Sequence, residues 1–441
     1  MSLIADLDAA HRPRRYRRRW VALAAAALVL VAAGAVIARS WAGRNDRDLG
    51  DLNATNPVDK GRALSGGWCQ GRGTVPLAVA PVKPDDLGAV LPMGAMAGAE
   101  VTPADHESYL LADPTRAVGV RAPADGLIVD VQRRTGVVGE QKDAAAGADR
   151  YRVVISFSCT FFVVLDRLTA LDGSVLDRLP ADFRQRPVPV DRPVPVKAGQ
   201  LLGQVRGRGL DLAVWDTTRP AEHLLVALAY NNAVPGRTVT VPPLDYLTGK
   251  AKADLLTRYA RLTAPRDGRF DYDVDGTVAG NWFLSGTNGY RGSDRNPPPA
   301  DPTTGHLALA RDYLDPAATV FSIGQGPDGA PAQYLLRPGA PDPATITIAQ
   351  GTVGYELLTR QYVDDTGAVW DGTGPPKGQP RAVPGTEVVA TALVRVLSPQ
   401  TIRVQLFRGL SAAQVSGFTD LARTYTRGQD AVMVPADPAP R

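Results

Sequence analysis

The chain has 441 residues and carries 49 Lys and Arg against 45 Asp and Glu, which gives a formal net charge of +4. At roughly 100 to 200 residues per domain, this length predicts two or three domains. With 44% hydrophobic and 21% charged residues, the composition is that of a globular protein and excludes an intrinsically disordered one. The abundance of glycine (44) and proline (37) predicts many turns and short strands.

The positive charge is confined to a basic N-terminal arm, residues 1–19. This arm contains six arginines and two aspartates, which account for the whole formal charge of the chain. The remaining residues carry equal numbers of positive and negative side chains. A body without net charge lacks the basic surface that nucleic acid requires, so we expect no nucleic-acid partner.

An uncharged, mostly apolar run of residues 20–38 (WVALAAAALVLVAAGAVIA) follows the arm. At 1.5 Å per residue it matches the hydrocarbon thickness of a bilayer and predicts a transmembrane helix. Because positive residues stay on the cytoplasmic side, we expect a single-pass protein of the cell membrane whose C-terminal bulk is extracytoplasmic. The alternative is a cleaved signal peptide, since Val36 and Ala38 fit a cleavage site, but the run exceeds the usual 7 to 15 residues.

Only two cysteines occur in the chain, Cys69 and Cys159. Disulfides persist outside the cytoplasm, so export predicts that these two residues pair. The alternative is two buried, unpaired cysteines, because Cys159 lies inside an apolar run.

Beyond the predicted span, the sequence indicates a mainly β protein with few helices. Short runs rich in Val and Ile, several of them alternating at period two, are separated by Gly, Pro and Asp. An apolar stripe at helical spacing (Leu255, Leu256, Tyr259 and Leu262) predicts a helix between two β domains. The predicted order is a polar stalk (39–62), a β domain (63–235), a connecting helical segment (236–263) and a β-rich C-terminal domain (264–441).

The C-terminal domain opens with the strongest local signal, residues 270–287 (FDYDVDGTVAGNWFLSGT). Alternating aromatic and Asp residues before Asp275-Gly276 predict a β-hairpin with a type I′ turn. The DxDxDG stretch copies half of a calcium loop, but the position of the required Glu is occupied by Trp282. Near the end of the chain, residues 417–425 predict a short amphipathic helix.

Motifs for catalysis are scarce. The chain has no GxSxG, SxxK or Walker sequence, and its four histidines (His11, His106, His223 and His306) have no zinc spacing.

A resemblance to a known family covers residues 95–220, about 30% of the chain. The segments that carry it are VTPADH (101–106), VRAPADGLIVDV (120–131), RYRVVISFS (150–158), VVLDRL (163–168), VPVKAGQLLGQV (194–205) and GLDLAVWD (209–216). In order and spacing they resemble the lysostaphin-type (LytM-like) zinc peptidases that cleave peptidoglycan cross-links. The resemblance implies a barrel-sandwich β domain, although turns such as APADG also occur in lipoyl-like domains.

The same comparison argues against activity. Family members hold zinc with a His, an Asp a few residues later and the last His of an HxH pair, and a further His assists the attacking water. Here His106 matches the first ligand, but Leu110 occupies the Asp position, Gly209 and Asp211 replace the HxH pair, and Arg167 replaces the assisting His. Catalytic zinc requires about three protein ligands. We therefore expect a pseudo-peptidase without catalytic residues, metal or cofactor.

A domain that has lost its chemistry can still bind. The resemblance places His106, Tyr109, Arg167 and Asp211 in one open groove, which we expect to hold cell-wall polymer or an envelope protein. The alternatives are an ordinary polar rim and a zinc-dependent peptidoglycan hydrolase whose rearranged site uses His106, Asp113 and Asp211.

The C-terminal domain carries a second, shorter resemblance. Gly280-Asn281-Trp282 is similar to the GxW signature of lipocalin-like barrels. If that likeness holds, Trp282, Phe283 and His306 could line a ligand pocket, whereas aromatic residues in a hairpin are more often core or lid residues.

Overall fold

The computed structural model of the protein describes residues 50–134, 149–179, 192–231, 233–292, 302–372 and 374–428. The predicted basic arm and transmembrane helix lie outside these residues. Within the described ranges, no helix is long and apolar enough to cross a membrane.

Among the described residues, the first β assembly has eleven strands that form two antiparallel sheets. They are β1 (Leu87–Leu91), β2 (Glu107–Leu111), β3 (Val118–Arg121), β4 (Gly126–Arg134), β5 (Arg150–Ser156), β6 (Phe161–Leu168), β7 (Ala170–Leu171), β8 (Val194–Val196), β9 (Leu201–Val205), β10 (Leu210–Asp216) and β11 (Thr240–Val241). The larger sheet has the order β1-β2-β10-β6-β5-β4-β8, with β11 paired to β10, and the smaller has the order β3-β9-β7. The prediction of a mainly β fold is confirmed.

The two sheets share one apolar core. Val120 and Leu202 from the smaller sheet belong to the same buried cluster as Ile155 and Val163 from the larger one. Strand β6 begins with five consecutive buried residues, which a sheet with one solvated face does not permit. Both faces of the larger sheet are therefore covered at the start of β6.

An N-terminal strap, residues 50–69, lies against the outer face of the larger sheet. Its helix α1 (Pro57–Leu64) begins at Asn56, whose side chain accepts a hydrogen bond from the backbone of Val58. Leu64 and Trp68 pack against apolar residues of the sheet. The predicted polar stalk (39–62) is thus wrong from residue 57 onward, because these residues form a helix that is packed on the fold.

The segment between the β assemblies contains less helix than its periodicity predicted. Two one-turn helices come before this segment, α2 (Gly173–Leu176) between β7 and β8 and α3 (Leu228–Asn231) between β10 and β11, and the segment itself contains α4 (Gly249–Leu256). Helix α4 ends at Leu256, so Leu262 does not continue its stripe and is 46% exposed.

The second β assembly is a closed antiparallel barrel of eight strands. They are β12 (Gly280–Leu284), β13 (His306–Arg311), β14 (Thr319–Ile323), β15 (Ala332–Leu336), β16 (Thr352–Val363), β17 (Arg381–Ser398), β18 (Thr401–Arg408) and β19 (Arg423–Thr426). Each strand pairs with the next, and β19 returns to pair with β12. Both assemblies belong to one compact unit, Leu49–Arg441.

Arg427 closes one end of the barrel. Its guanidinium lies 4.0 Å from the ring centroid of Trp282 and pairs with Asp273 at 2.9 Å. It also donates hydrogen bonds to the carbonyl oxygens of Ala279 (2.7 Å) and Thr277 (3.0 Å). The charge of Arg427 is buried, but these partners compensate it. Arg427 can therefore hold the segment before β12, residues 270–279, across the end of the barrel.

The structure of residues 270–279 shows that the predicted hairpin is wrong. Residues 270–274 are not a strand, and β12 pairs with β13 and β19 instead. The aspartates of this segment hold it in place, since Asp271 and Asp273 accept hydrogen bonds from the backbone N–H groups of His223 and Leu225, each at 3.1 Å. The alternation of aspartates reflects these contacts and not a solvated strand face.

The predicted C-terminal helix at residues 417–425 is also wrong. Strand β19 begins at Arg423, and Tyr425 points into the barrel core. Leu421, which the helical stripe would have buried, is 80% exposed.

Candidate functional site

A groove of about 450 Å³ lies on the outer face of the larger sheet, beside the strap. Its floor consists of side chains that alternate outward on β4, β5, β6 and β10. Leu64 of α1 and Tyr290, which follows β12, also line it. The groove therefore collects residues from both β assemblies.

Three of the four residues predicted for the groove meet at one point. His106 Nε2 lies 3.6 Å from Asp211 Oδ2, and an Arg167 guanidinium nitrogen lies 3.5 Å from the same oxygen. The other carboxylate oxygen of Asp211 accepts a hydrogen bond from the Ser108 hydroxyl at 2.8 Å. Strand register explains the meeting, because Asp211 on β10 is paired with Ser108 on β2 and with Asp166 on β6.

The charges around His106 fix its protonation. Burial by itself would lower the pKa of His106, but the charge of Asp211 and a hydrogen bond with Asp105 outweigh burial and raise it to about 10. Burial would raise the pKa of Asp105, yet its hydrogen bond with His106 and the charge of Arg237 hold it at about 2. At neutral pH the site thus holds an imidazolium between two carboxylates.

Arg167 has an unusual backbone. Its φ is +73°, and it is the one residue other than glycine with a positive φ in the described part of the chain. A side chain in this left-handed region costs about 1 to 2 kcal/mol. This conformation brings the guanidinium to Asp211. A glycine at position 167 would adopt the same backbone conformation without strain.

Tyr109 does not belong to the groove, which corrects its prediction as a groove residue. Successive side chains of a strand point to opposite faces, so Ser108 faces Asp211 while Tyr109 faces the core. Its side chain is fully buried there, close to Glu107. Burial raises the pKa of Tyr109 well above its usual value.

The residues at the family's metal positions do not fit a zinc ion. Gly209 has a φ of +100°, and a Cβ atom there would lie 1.9 Å from the carbonyl oxygen of Tyr109. No ligand side chain can occupy that position without moving the strand. Asp113, the alternative ligand, instead accepts hydrogen bonds from Thr115 in an exposed turn. Across the six described ranges, no group of three or more His, Cys, Asp or Glu is placed to hold a metal.

Several groove residues were missed by sequence reasoning. Arg152 lies over the ring of Trp215, 5.3 Å from its centroid, and Arg134 pairs with Asp166 at 3.1 Å. Arg237 is almost completely buried, and its guanidinium stacks against Tyr290 at 5.3 Å. The only signal was the placing of charged residues at alternate positions of otherwise apolar strands.

The aromatic residues predicted for a C-terminal pocket lie on two faces of the barrel wall. Trp282 points into the barrel and donates a hydrogen bond to the carbonyl oxygen of Val278. Phe283 points outward and packs against His306, with ring centroids 5.2 Å apart. His306 is buried and lies 3.0 Å from the carbonyl oxygen of Tyr290. The three predicted residues therefore do not line one pocket.

The predicted disulfide between Cys69 and Cys159 is confirmed. It joins the end of the strap to the turn between β5 and β6, with the two Cα atoms 4.8 Å apart. Helix α1 of the strap lies close to this turn, since a Cβ atom on Gly61 would be 1.6 Å from the carbonyl oxygen of Cys159.

Comparison of the chain with protein-family models, curated proteins and solved structures finds no significant match.

Proposed function

We propose that the protein is a membrane-anchored, extracytoplasmic envelope protein whose groove binds a ligand without catalysis. The apolar run 20–38 is the proposed anchor. The disulfide supports export, because such bonds persist in oxidising compartments.

The first β assembly is proposed to be a degenerate LytM-like barrel-sandwich. Two facing antiparallel sheets are consistent with that architecture. The observation that carries the proposal is the meeting of His106, Arg167 and Asp211 at one point. In the peptidases that the sequence resembles, these positions belong to the metal site, and here two cationic side chains contact one carboxylate.

The groove offers both signs of charge on a floor that mixes polar and apolar side chains. Arg152 and Arg134 can bind carboxylates, while Asp130 and Asp211 can accept hydrogen bonds from ammonium groups. Trp215 also lines the groove, with the Arg152 guanidinium over its ring. A short peptide with free amino and carboxyl groups matches this pattern, and the peptide stems of cell-wall polymer have that chemistry. We therefore favour a cell-wall peptide over an envelope protein as the ligand.

The test is binding of the full chain, in lipid nanodiscs, to isolated cell wall and to soluble cell-wall peptides. We expect Asp211→Asn and Arg152→Gln each to weaken peptide binding at least tenfold, because each removes a charge-assisted hydrogen bond. Asp113→Asn, a carboxylate change in an exposed turn outside the groove, is the matched control. Equal binding by all three variants would contradict the proposal, and capture of an envelope protein without cell wall would favour the other ligand.

The alternative function is a zinc-dependent peptidoglycan hydrolase with a rearranged site. The observation in its favour is the 3.6 Å approach of His106 Nε2 to Asp211 Oδ2. Metal analysis of the purified full chain separates the two functions. Stoichiometric zinc that is lost on His106→Ala would overturn the non-catalytic proposal.

A further inference from the structure

The groove has an accessible apolar wall along one side. Its partly exposed apolar residues come from the strap and from the segment that precedes β11, and they are Leu52, Ala63, Leu64, Val234 and Pro235. The apolar residues of the floor differ, since Val154 and Val164 are buried and offer little surface to a ligand. A ligand in the groove therefore meets apolar surface mainly on this wall.

Hydrogen bonds join the two segments of the wall. The Asn231 side-chain amide donates to Asn53 Oδ1 of the strap at 2.7 Å, and Lys60 Nζ of the strap donates to Thr238 Oγ1 at 3.2 Å. The disulfide attaches the end of the strap to the larger sheet. Because the protein itself holds the wall in place, a ligand does not have to order it, and less of the binding free energy is lost.

A row of carboxylates lies beside the wall. Leu64 packs against the cluster that contains Val164 of β6 and Ala213 of β10, and these two residues are paired in the sheet. The next pair on the same face is Asp166 and Asp211, two residues further along the strands. At about 3.4 Å per residue, the two pairs are about 7 Å apart. An extended peptide whose ammonium group binds the carboxylates therefore has a side chain at the wall one or two residues further along.

The volume of the groove limits the length of the peptide. The groove measures about 450 Å³. At roughly 30 Å³ for each water-sized group, this volume holds about fifteen non-hydrogen atoms, which is the size of about three alanine residues. The groove is therefore suited to a short run of small residues.

We propose that the groove selects peptides with a small aliphatic residue, alanine or valine, over peptides with glycine at the same position. The wall residues Leu52, Leu64 and Val234 determine this selection, because the aliphatic side chain packs against them. The proposal rests on the proposed binding of a peptide in the groove, and it specifies which residue that peptide carries.

The experiment compares three soluble tripeptides with free termini, Gly-Gly-Gly, Gly-Ala-Gly and Gly-Val-Gly, by calorimetric titration into the full chain in lipid nanodiscs. We expect the Kd to fall about two- to fourfold from glycine to alanine and further for valine, since each buried methylene group favours binding by up to about fourfold. Equal Kd values for the three peptides would overturn the selection and leave peptide binding intact. Failure of all three to bind would contradict the proposed function itself, and the selection with it.

Variants of the wall test which residues are responsible. Val234→Thr replaces a methyl group by a hydroxyl of nearly the same shape, and Leu52→Gln makes a partly exposed side chain polar. Each should lower the preference for Gly-Val-Gly over Gly-Gly-Gly about threefold, while the Kd of Gly-Gly-Gly stays the same.

Val383→Thr, at a valine of the barrel that is 40% exposed, is the matched control and should leave the preference unchanged. A preference for Gly-Val-Gly that survives both wall variants would contradict the role of the wall.

Discussion

Glu107 is a carboxyl group inside the core of the first β assembly, and it offers the sharpest test of the electrostatics. Its side chain is fully buried, and its Oε1 accepts a hydrogen bond from the Tyr259 hydroxyl at 2.6 Å. Burial, reinforced by the charge of Asp267, raises the pKa of Glu107 well above the ordinary value of 4.5. The native state therefore favours the protonated form of Glu107. The variant Glu107→Gln has nearly the same shape as this protonated form, but its side chain does not ionise.

The expected effect follows from proton linkage. A carboxyl with a raised pKa in the native state binds its proton more tightly there than in the unfolded chain, so the unfolding free energy falls as pH rises above 4.5. The slope is about 1.4 kcal/mol per pH unit, and at pH 7 the loss reaches up to about 3.4 kcal/mol. Glu107→Gln removes this loss, so the variant should gain stability relative to the native protein as pH increases.

Urea unfolding at several pH values between 3 and 8, with the disulfide intact, measures this difference. Glu356→Gln is the control with the opposite sign. The backbone N–H of Ala412 and the guanidinium of Arg337 hold the pKa of Glu356 below its usual value, so its contribution is present at neutral pH and disappears as pH falls. If Glu107→Gln is destabilising by the same margin at pH 5 and pH 8, the reasoning about Glu107 is refuted.

Three further predictions concern other parts of the molecule. Replacing Cys69 and Cys159 by Ser should lower the unfolding free energy by up to about 4.5 kcal/mol, because the bridge spans a sequence separation of 90, and reduction of the native protein should have the same effect on its denaturant midpoint. Arg427→Met should cost about 3 to 5 kcal/mol in the same assay, because it leaves Asp273 buried without its partner. Arg167→Gly should leave the unfolding free energy unchanged or raise it by up to about 1 kcal/mol, because glycine adopts a positive φ without strain.

Each of these predictions has a contrary outcome. An unchanged midpoint after reduction would mean that the strap is held by packing alone. Stability of Arg427→Met equal to that of the native protein would show that the end of the barrel closes without the ion pair. Strong destabilisation by Arg167→Gly would show that the contact of Arg167 with Asp211 stabilises the fold by more than the backbone strain costs.

The sequence was informative where one residue type decides an outcome. Two cysteines outside a predicted membrane span were sufficient for the disulfide. Valine-rich runs with alternating polarity were sufficient for strands, and the spacing of His106, Arg167 and Asp211 within the resemblance was sufficient to bring them together. In these cases the local pattern and the tertiary contacts favour the same structure.

The sequence failed where tertiary contacts override local propensity. Residues 270–274 alternate like a strand, yet Asp273 is 2% exposed and pairs with Arg427, far along the chain. Likewise, the strap resembles a stalk because most of its residues are polar, although Val58 and Gly61 are buried and Leu64 and Trp68 pack against the sheet. The burial of Tyr109 depends on the register of β2 against β10. Asp211 is paired with Ser108, so Ser108 faces the groove and the next residue, Tyr109, faces the core.

The closure of the barrel determines when the second assembly can form. Strand β12 has no partner on one side until β19 is available, and the plug formed by Arg427 follows β19 in the chain. The first β assembly needs no strand of the barrel to complete its sheets, so it can fold while the rest of the chain is still being made. The barrel must instead wait until its last strand has been synthesised, and in that interval β12 presents an unpaired edge that could join a neighbouring chain.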